Sequence, residues 1–146
     1  KEHVERSKEP IRPRQAAVWM HTLAGALHTL HSSGHIHRDV KPGNLLVTPD
    51  GRTKVSDLGL AGWFGDNDQI GIHGGKVVGT ADYLAPEQLM APDKLSSASD
   101  VYSLGATLFE VLTLRMLHQG SDVFALLKSN LNGPPVSLSL PLPPLR

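Results

Sequence analysis

The chain has 146 residues, enough for one domain with a sizeable core. Lysine plus arginine and aspartate plus glutamate both number 14, so the formal net charge is zero; no basic stripe is visible, which argues against nucleic acid or an anionic membrane surface as the main partner. Cysteine is absent, which excludes disulfides and cysteine metal sites and fits a cytoplasmic setting.

In chain order, residues Lys1 to Arg12 are polar and are expected to close a short preceding helix or loop. Pro13 suits the first turn of a helix, where its missing N–H costs nothing. Ala16, Met20, Leu23, Leu27 and Leu30 follow at steps of four and three, which is one helical face. Gly34 suits the left-handed stop of that helix. Leu45–Val47 and Lys54–Ser56 read as two short strands, and Thr48-Pro49-Asp50-Gly51 between them supplies turn chemistry. Residues 59–79 are glycine-rich without periodicity and read as a long loop. A short helix is predicted over Pro86–Met90, and a buried helix over Asp100–Thr113. Ser121 is placed to cap another helix running to about Ser129. Gly133 to Arg146 is proline-rich and extended. The longest apolar stretch, Val101 to Leu114, is too short for a membrane span and carries Glu110. No signal peptide or internal repeat is visible, and a start at Lys1 rather than Met suggests a fragment.

The chemistry concentrates in His37-Arg38-Asp39-Val40-Lys41-Pro42-Gly43-Asn44. Within six positions it offers a proton acceptor (Asp39), a phosphate-pairing cation (Lys41) and a neutral oxygen ligand for a hard metal (Asn44). Phosphoryl transfer needs such parts, because its catalysis is mostly positioning and charge neutralisation. Asp57-Leu58-Gly59 follows the second strand, thirteen positions after Asn44. The hairpin between them lets Asn44 and Asp57 converge as metal ligands at one end. Farther on stand Gly79-Thr80-Ala81-Asp82-Tyr83-Leu84-Ala85-Pro86-Glu87 and Asp100-Val101-Tyr102-Ser103-Leu104-Gly105.

In this order the motifs resemble the eukaryotic-type protein kinases, and the chain is similar to the C-terminal lobe of a Ser/Thr kinase of the bacterial eukaryotic-like type. The resemblance implies an α+β, mainly helical fold with a short hairpin beside the catalytic loop. It covers residues 1–146 as a partial kinase domain. It implies ATP and Mg²⁺ as cofactors, with Asp39, Lys41 and Asn44 catalytic, Asn44 and Asp57 holding the metal, and Leu46 flooring the adenine pocket. Lys41, two positions after Asp39, points to a protein substrate with a Ser or Thr acceptor. His37, Arg38, Gly59, Thr80, Glu87 and Asp100 match structural positions of the catalytic loop and activation segment. Asp100 is expected to bond the catalytic-loop backbone; without the resemblance it reads equally as a helix cap after Ser99. Leu58 stands where the family usually has Phe, which bears on switching rather than on metal binding. His28, His31, His35 and His37 span a helix end and a loop without a completing ligand, so they are not read as a zinc site.

Parts of the two-lobe kinase are missing from these residues. There is no glycine-rich phosphate loop, no Val-Ala-x-Lys strand and no upstream helix carrying its Glu partner. The last helices of the lobe, with the Arg expected to pair with Glu87, are absent as well. The parent protein is therefore expected to be an active Ser/Thr kinase, and the isolated 146 residues to be inactive, with apolar surface exposed around Leu46 and Leu58. No Ser, Thr or Tyr lies between Gly59 and Gly79, so activation by phosphorylation within that loop is not expected. Asp66 or Asp68 is a candidate fixed negative charge for Arg38. The competing reading is a non-catalytic kinase-like interaction module, with Pro141-Leu142-Pro143-Pro144-Leu145-Arg146 as a docking peptide. No nucleic acid and no membrane contact is expected of this segment.

Overall fold

A computed structural model describes residues 2–3, 9–58, 62–63, 71–73, 76–78, 81–91, 94–118 and 123–132. Among the described residues four α-helices carry the fold: α1 (Pro13–Ser32), α2 (Pro86–Met90), α3 (Ser97–Thr113) and α4 (Val123–Asn132). Pro13 opens α1 as expected, and the helix buries Ala16, Trp19, Met20, Leu23 and Leu27. Trp19, adjacent to Met20 on the same stripe, takes a core place that the step pattern did not assign. Leu30 is only partly buried. At the helix end Gly34 adopts φ 81° and its N–H bonds the His31 carbonyl at 2.9 Å, a conformation that costs least without a Cβ.

The core forms where α1 crosses α3. Ala16, Trp19, Met20, Leu23, Leu45 and Val111 make one buried cluster, and Leu104, Leu108 and Leu112 pack against it. α3 begins three residues before the expected Asp100. Ser96 is its N-cap, accepting from the Ala98 N–H at 3.3 Å, while Ser99 Oγ accepts from the Ser96 N–H at 3.4 Å. Asp100 thus lies in the first turn of the helix and is not its cap. Its carboxylate is available for a longer-range task.

Strands β3 (Leu45–Val47) and β4 (Thr53–Val55) form the expected hairpin, with Leu45 opposite Val55 and Val47 opposite Thr53. Its turn closes through Thr48 N–H to Arg52 O at 2.8 Å and Gly51 N–H to Thr48 O at 2.8 Å, with Gly51 at φ 80°. β4 starts and ends one residue earlier than predicted. Two expectations need correction. Within the polar N-terminal stretch, β1 (Glu2–His3) adds a third antiparallel strand beside β3. The stretch read as a loop holds β5 (Gly62–Trp63), which pairs with β2 (His35–Ile36), and a small hairpin of β6 (Gly71–His73) and β7 (Lys76–Val78). Strands of two or three residues are too short to show alternation in sequence. α2 has its predicted bounds, and α4 runs three residues past the expected Ser129. No helix among the described residues is long and apolar enough to cross a membrane.

Candidate active site

Residues 37–40 have no regular secondary structure, yet all four are buried. Buried backbone N–H and C=O groups must find partners, so such a segment needs side chains from elsewhere. Ile36 and Val40 anchor it in the core at either end. Asp100, 1% exposed, takes two of its N–H groups. Asp100 Oδ2 accepts the His37 N–H and Oδ1 accepts the Arg38 N–H, both at 2.8 Å. His31 Nε2 from the last turn of α1 also lies 2.7 Å from Asp100 Oδ2, so this nitrogen carries a proton and donates. His31, one of the histidines weighed for zinc, is therefore engaged with a carboxylate. Arg38 is held at φ 70°, a left-handed conformation that a non-glycine residue adopts only under such constraint.

His37 is fully buried. Its Nδ1 accepts the Asp39 N–H at 3.3 Å, so in the neutral ring Nε2 carries the proton. Burial holds the imidazole below its ordinary value of 6.5, outweighing the attraction of Asp100 and Asp39. A neutral His37 keeps the acceptor that Asp39 N–H requires.

Asp39, Lys41 and Asn44 converge. Lys41 Nζ lies 2.8 Å from Asp39 Oδ2. Asn44 Nδ2 lies 2.8 Å from that same oxygen and 2.8 Å from the Asp39 carbonyl. Both contacts are to acceptors, so the amide nitrogen faces Asp39 and Oδ1 is left as a neutral oxygen for a cation. Pro42–Asn44 forms a 3-10 turn that brings the chain back on itself and makes this closure possible.

Asp57 is exposed, at φ 64°, directly after the hairpin. Its neighbour Ser56 is tied to Asn44, since Ser56 N–H and Oγ both donate to the Asn44 carbonyl, at 2.8 and 3.1 Å. Asn44 and Asp57 therefore stand at one end of the hairpin. Among the described residues no three His, Cys, Asp or Glu gather into a metal cage. One carboxylate and one amide oxygen instead suit a hard cation that keeps waters and shares a ligand's oxygens. Leu46 is half-buried on β3 opposite Lys54. A cavity of about 510 Å³ lies beside the second half of α1, lined among others by Leu27, Leu30, His37, Val55 and Leu58, and neither Leu46 nor Asp57 borders it.

On the other side, Glu87 Oε1 accepts from Ser99 Oγ at 2.7 Å. Gln88, which sequence reasoning missed, is 1% exposed and bridges two elements. Its Oε1 accepts the Ala85 N–H at 2.9 Å, and its Nε2 donates to the Arg38 carbonyl at 3.1 Å. The available signal was a glutamine at the third position of a proline-opened helix, where it can fold back on the N-cap. Gly59, Thr80, Asp66, Asp68, Ser121 and the proline-rich 133–146 lie outside the described residues.

A carboxylate held by a lysine and an asparagine, on a loop braced by a buried aspartate, has the donor set expected of phosphoryl transfer. The comparison that decides the family is a match of residues 1–139 to the protein kinase domain. The chain belongs to the protein kinase domain family. Within that family it is similar to the serine/threonine-protein kinase PknA of Mycobacterium tuberculosis, 39% identical over 131 residues, covering 90% of this chain and 30% of the relative. It is 41% identical over 123 residues to a probable serine/threonine-protein kinase of Corynebacterium efficiens, covering 84% and 18%. To PknB of Mycobacterium tuberculosis it is 41% identical over 104 residues, covering 71% and 16%. The chain spans less than a third of the length of these curated relatives. A mostly helical kinase-domain chain with small antiparallel sheets agrees with these relationships.

Proposed function

We propose that this chain is the C-terminal lobe of a Ser/Thr protein kinase, and that it transfers phosphate from ATP to a protein hydroxyl once an N-terminal lobe completes it. The observation that carries the reading is the convergence of Lys41 Nζ and Asn44 Nδ2 on Asp39 Oδ2, each at 2.8 Å. With Oδ2 so held, Oδ1 is the oxygen that takes the proton of an incoming Ser or Thr hydroxyl. Lys41 is within reach to move its charge from Asp39 toward the phosphoryl group as negative charge builds there. Asn44 and Asp57 would hold Mg²⁺, which when bound neutralises phosphate charge. Asp100 and His31 act on none of these atoms directly; they fix the backbone that presents Asp39.

The isolated 146 residues supply no lysine for the α- and β-phosphates and no glycine-rich cover. They should therefore bind ATP weakly and transfer negligibly. In the longer protein, Asp57→Asn should remove Mg²⁺-dependent ATP binding by titration calorimetry, while Asp39→Asn should leave binding close to that of the parent. Equal loss in both variants would contradict the separate roles given to the two carboxylates.

A further inference from the structure

A second polar network lies away from Asp39, where α3, α4 and the segment before α2 meet. Tyr102 Oη lies 2.8 Å from Asn130 Oδ1 and 2.6 Å from His118 Nε2. Asn130 Nδ2 donates in turn to the Leu84 carbonyl at 3.0 Å. These contacts determine where each proton sits. The Asn130 amide must face Leu84 with its nitrogen, because a flipped amide would set oxygen against oxygen. Its Oδ1 can only accept, so the single Tyr102 proton goes there. Burial, with the Glu87 carboxylate nearby, holds the Tyr102 phenol above its ordinary value, so that proton is retained. Tyr102 Oη is then the acceptor toward His118, and His118 Nε2 must carry a proton. The Tyr102 and His118 ring planes lie 2° apart with centroids separated by 6.3 Å. The contact therefore runs edge to edge, in the plane where an imidazole N–H points.

The far end of this chain of bonds meets a segment held at three successive residues. Ser103 Oγ donates to the Tyr83 carbonyl at 2.8 Å, Asn130 holds the Leu84 carbonyl, and Gln88 holds the Ala85 N–H. Gln88 continues to the carbonyl of Arg38, the residue before Asp39. Asp39 thus stands between two anchors: Asn44 on the hairpin side, where nucleotide and metal are assigned, and the 83–85 segment through Gln88 on the other.

We propose that His118, Tyr102 and Asn130 form a one-way hydrogen-bond relay, Nε2–H to Oη–H to Oδ1, and that these three are positioning residues that set the 83–85 segment for the protein acceptor. The second clause rests on the kinase reading above; the relay itself does not. On the proposed function the hairpin takes nucleotide and metal, and this network reaches the residue before Asp39 from the other anchor, through Gln88 and Arg38, so its loss should affect acceptor binding rather than ATP binding.

The test uses the longer protein. Long-range ¹H–¹⁵N spectra of the histidine rings should show His118 protonated at Nε2, with Tyr102→Phe shifting the ring toward a tautomer mixture. Tyr102→Phe, His118→Phe and Asn130→Asp should each raise KM for a protein acceptor about fivefold, the size of one lost hydrogen bond, with KM for ATP unchanged. His118→Gln, which keeps an N–H donor, should restore the parent value. A His118 ring protonated only at Nδ1 would overturn the relay. Unchanged acceptor KM, or a matching rise in KM for ATP, would overturn the positioning role. Absence of any phosphate transfer by the parent would overturn the kinase reading and the positioning role with it, while the ring spectra still decide the relay.

Discussion

Asp100 holds the loop backbone that carries Asp39, and it does so with one carboxylate shared among the N–H groups of His37 and Arg38 and the ring of His31. Asp100→Asn puts an amide NH₂ where an acceptor is needed and leaves at least one of these buried donors without a partner. Hydrogen bonds to a charged group are each worth roughly 1.5–3 kcal/mol, so the variant should lose about 3 kcal/mol in chemical denaturation. A loss within 0.5 kcal/mol, roughly what an unremarkable surface change costs, would contradict the bracing role. His37 sets a pH dependence. Its folded-state value is lowered from 6.5 by burial, so below pH 6.5 the unfolded chain binds more protons than the folded one. Stability from this group should be complete above pH 6.5 and fall as pH drops below it. His118, also lowered by burial, acts in the same direction. A denaturation midpoint that rises between pH 7 and pH 5.5 would count against this.

At the scale of elements, α3 shows both what the sequence displays and what it hides. The helix itself was legible, but it is not buried throughout as expected: Val101 is exposed, and the buried face is Ser99, Asp100, Ser103, Ala106, Thr107 and Val111. Its start was not legible, because Ser96 and Ser99 cap each other with hydroxyls where the usual pattern has Glu or Gln at the third position. Its end carries strain. Leu114 terminates the helix at φ 55° and is 45% exposed, so its side chain gains little from burial while its backbone sits in a left-handed conformation. Leu114→Gly should therefore raise stability by about 1 kcal/mol, read as a higher denaturant midpoint with an unchanged slope; a lower midpoint would show that the leucine packs more than its exposure indicates. The β3–β4 hairpin was legible because Pro49, Asp50 and Gly51 each have a local reason to turn. β5 was not, because its partner β2 is distant in sequence, and β6 and β7, though they pair locally, are too short to show alternation. The Asp39, Lys41 and Asn44 contacts span six positions and close through a proline-led turn, so local sequence carries them. Gln88 and Asn130 act on residues 50 and 46 positions away, and nothing local to either residue marks that reach.

Across the whole molecule, the arrangement places Asp39 between a hairpin assigned to nucleotide and metal and a helical side assigned to the protein acceptor. Leu58 is 57% exposed and borders the 510 Å³ cavity with His37 and Val55. Leu46, expected to be exposed together with Leu58, is half-buried. The central claim is that Asp39, as Lys41 and Asn44 hold it, takes the proton of a Ser or Thr hydroxyl. The measurement that tests it most directly is phosphate transfer from labelled ATP to a protein acceptor by the longer protein and by its Asp39→Asn variant. The parent should place label on Ser or Thr, the variant should lose about 10²–10⁴-fold in kcat, and the isolated 146 residues should transfer none. An Asp39→Asn variant that transfers at the parent's rate would contradict it.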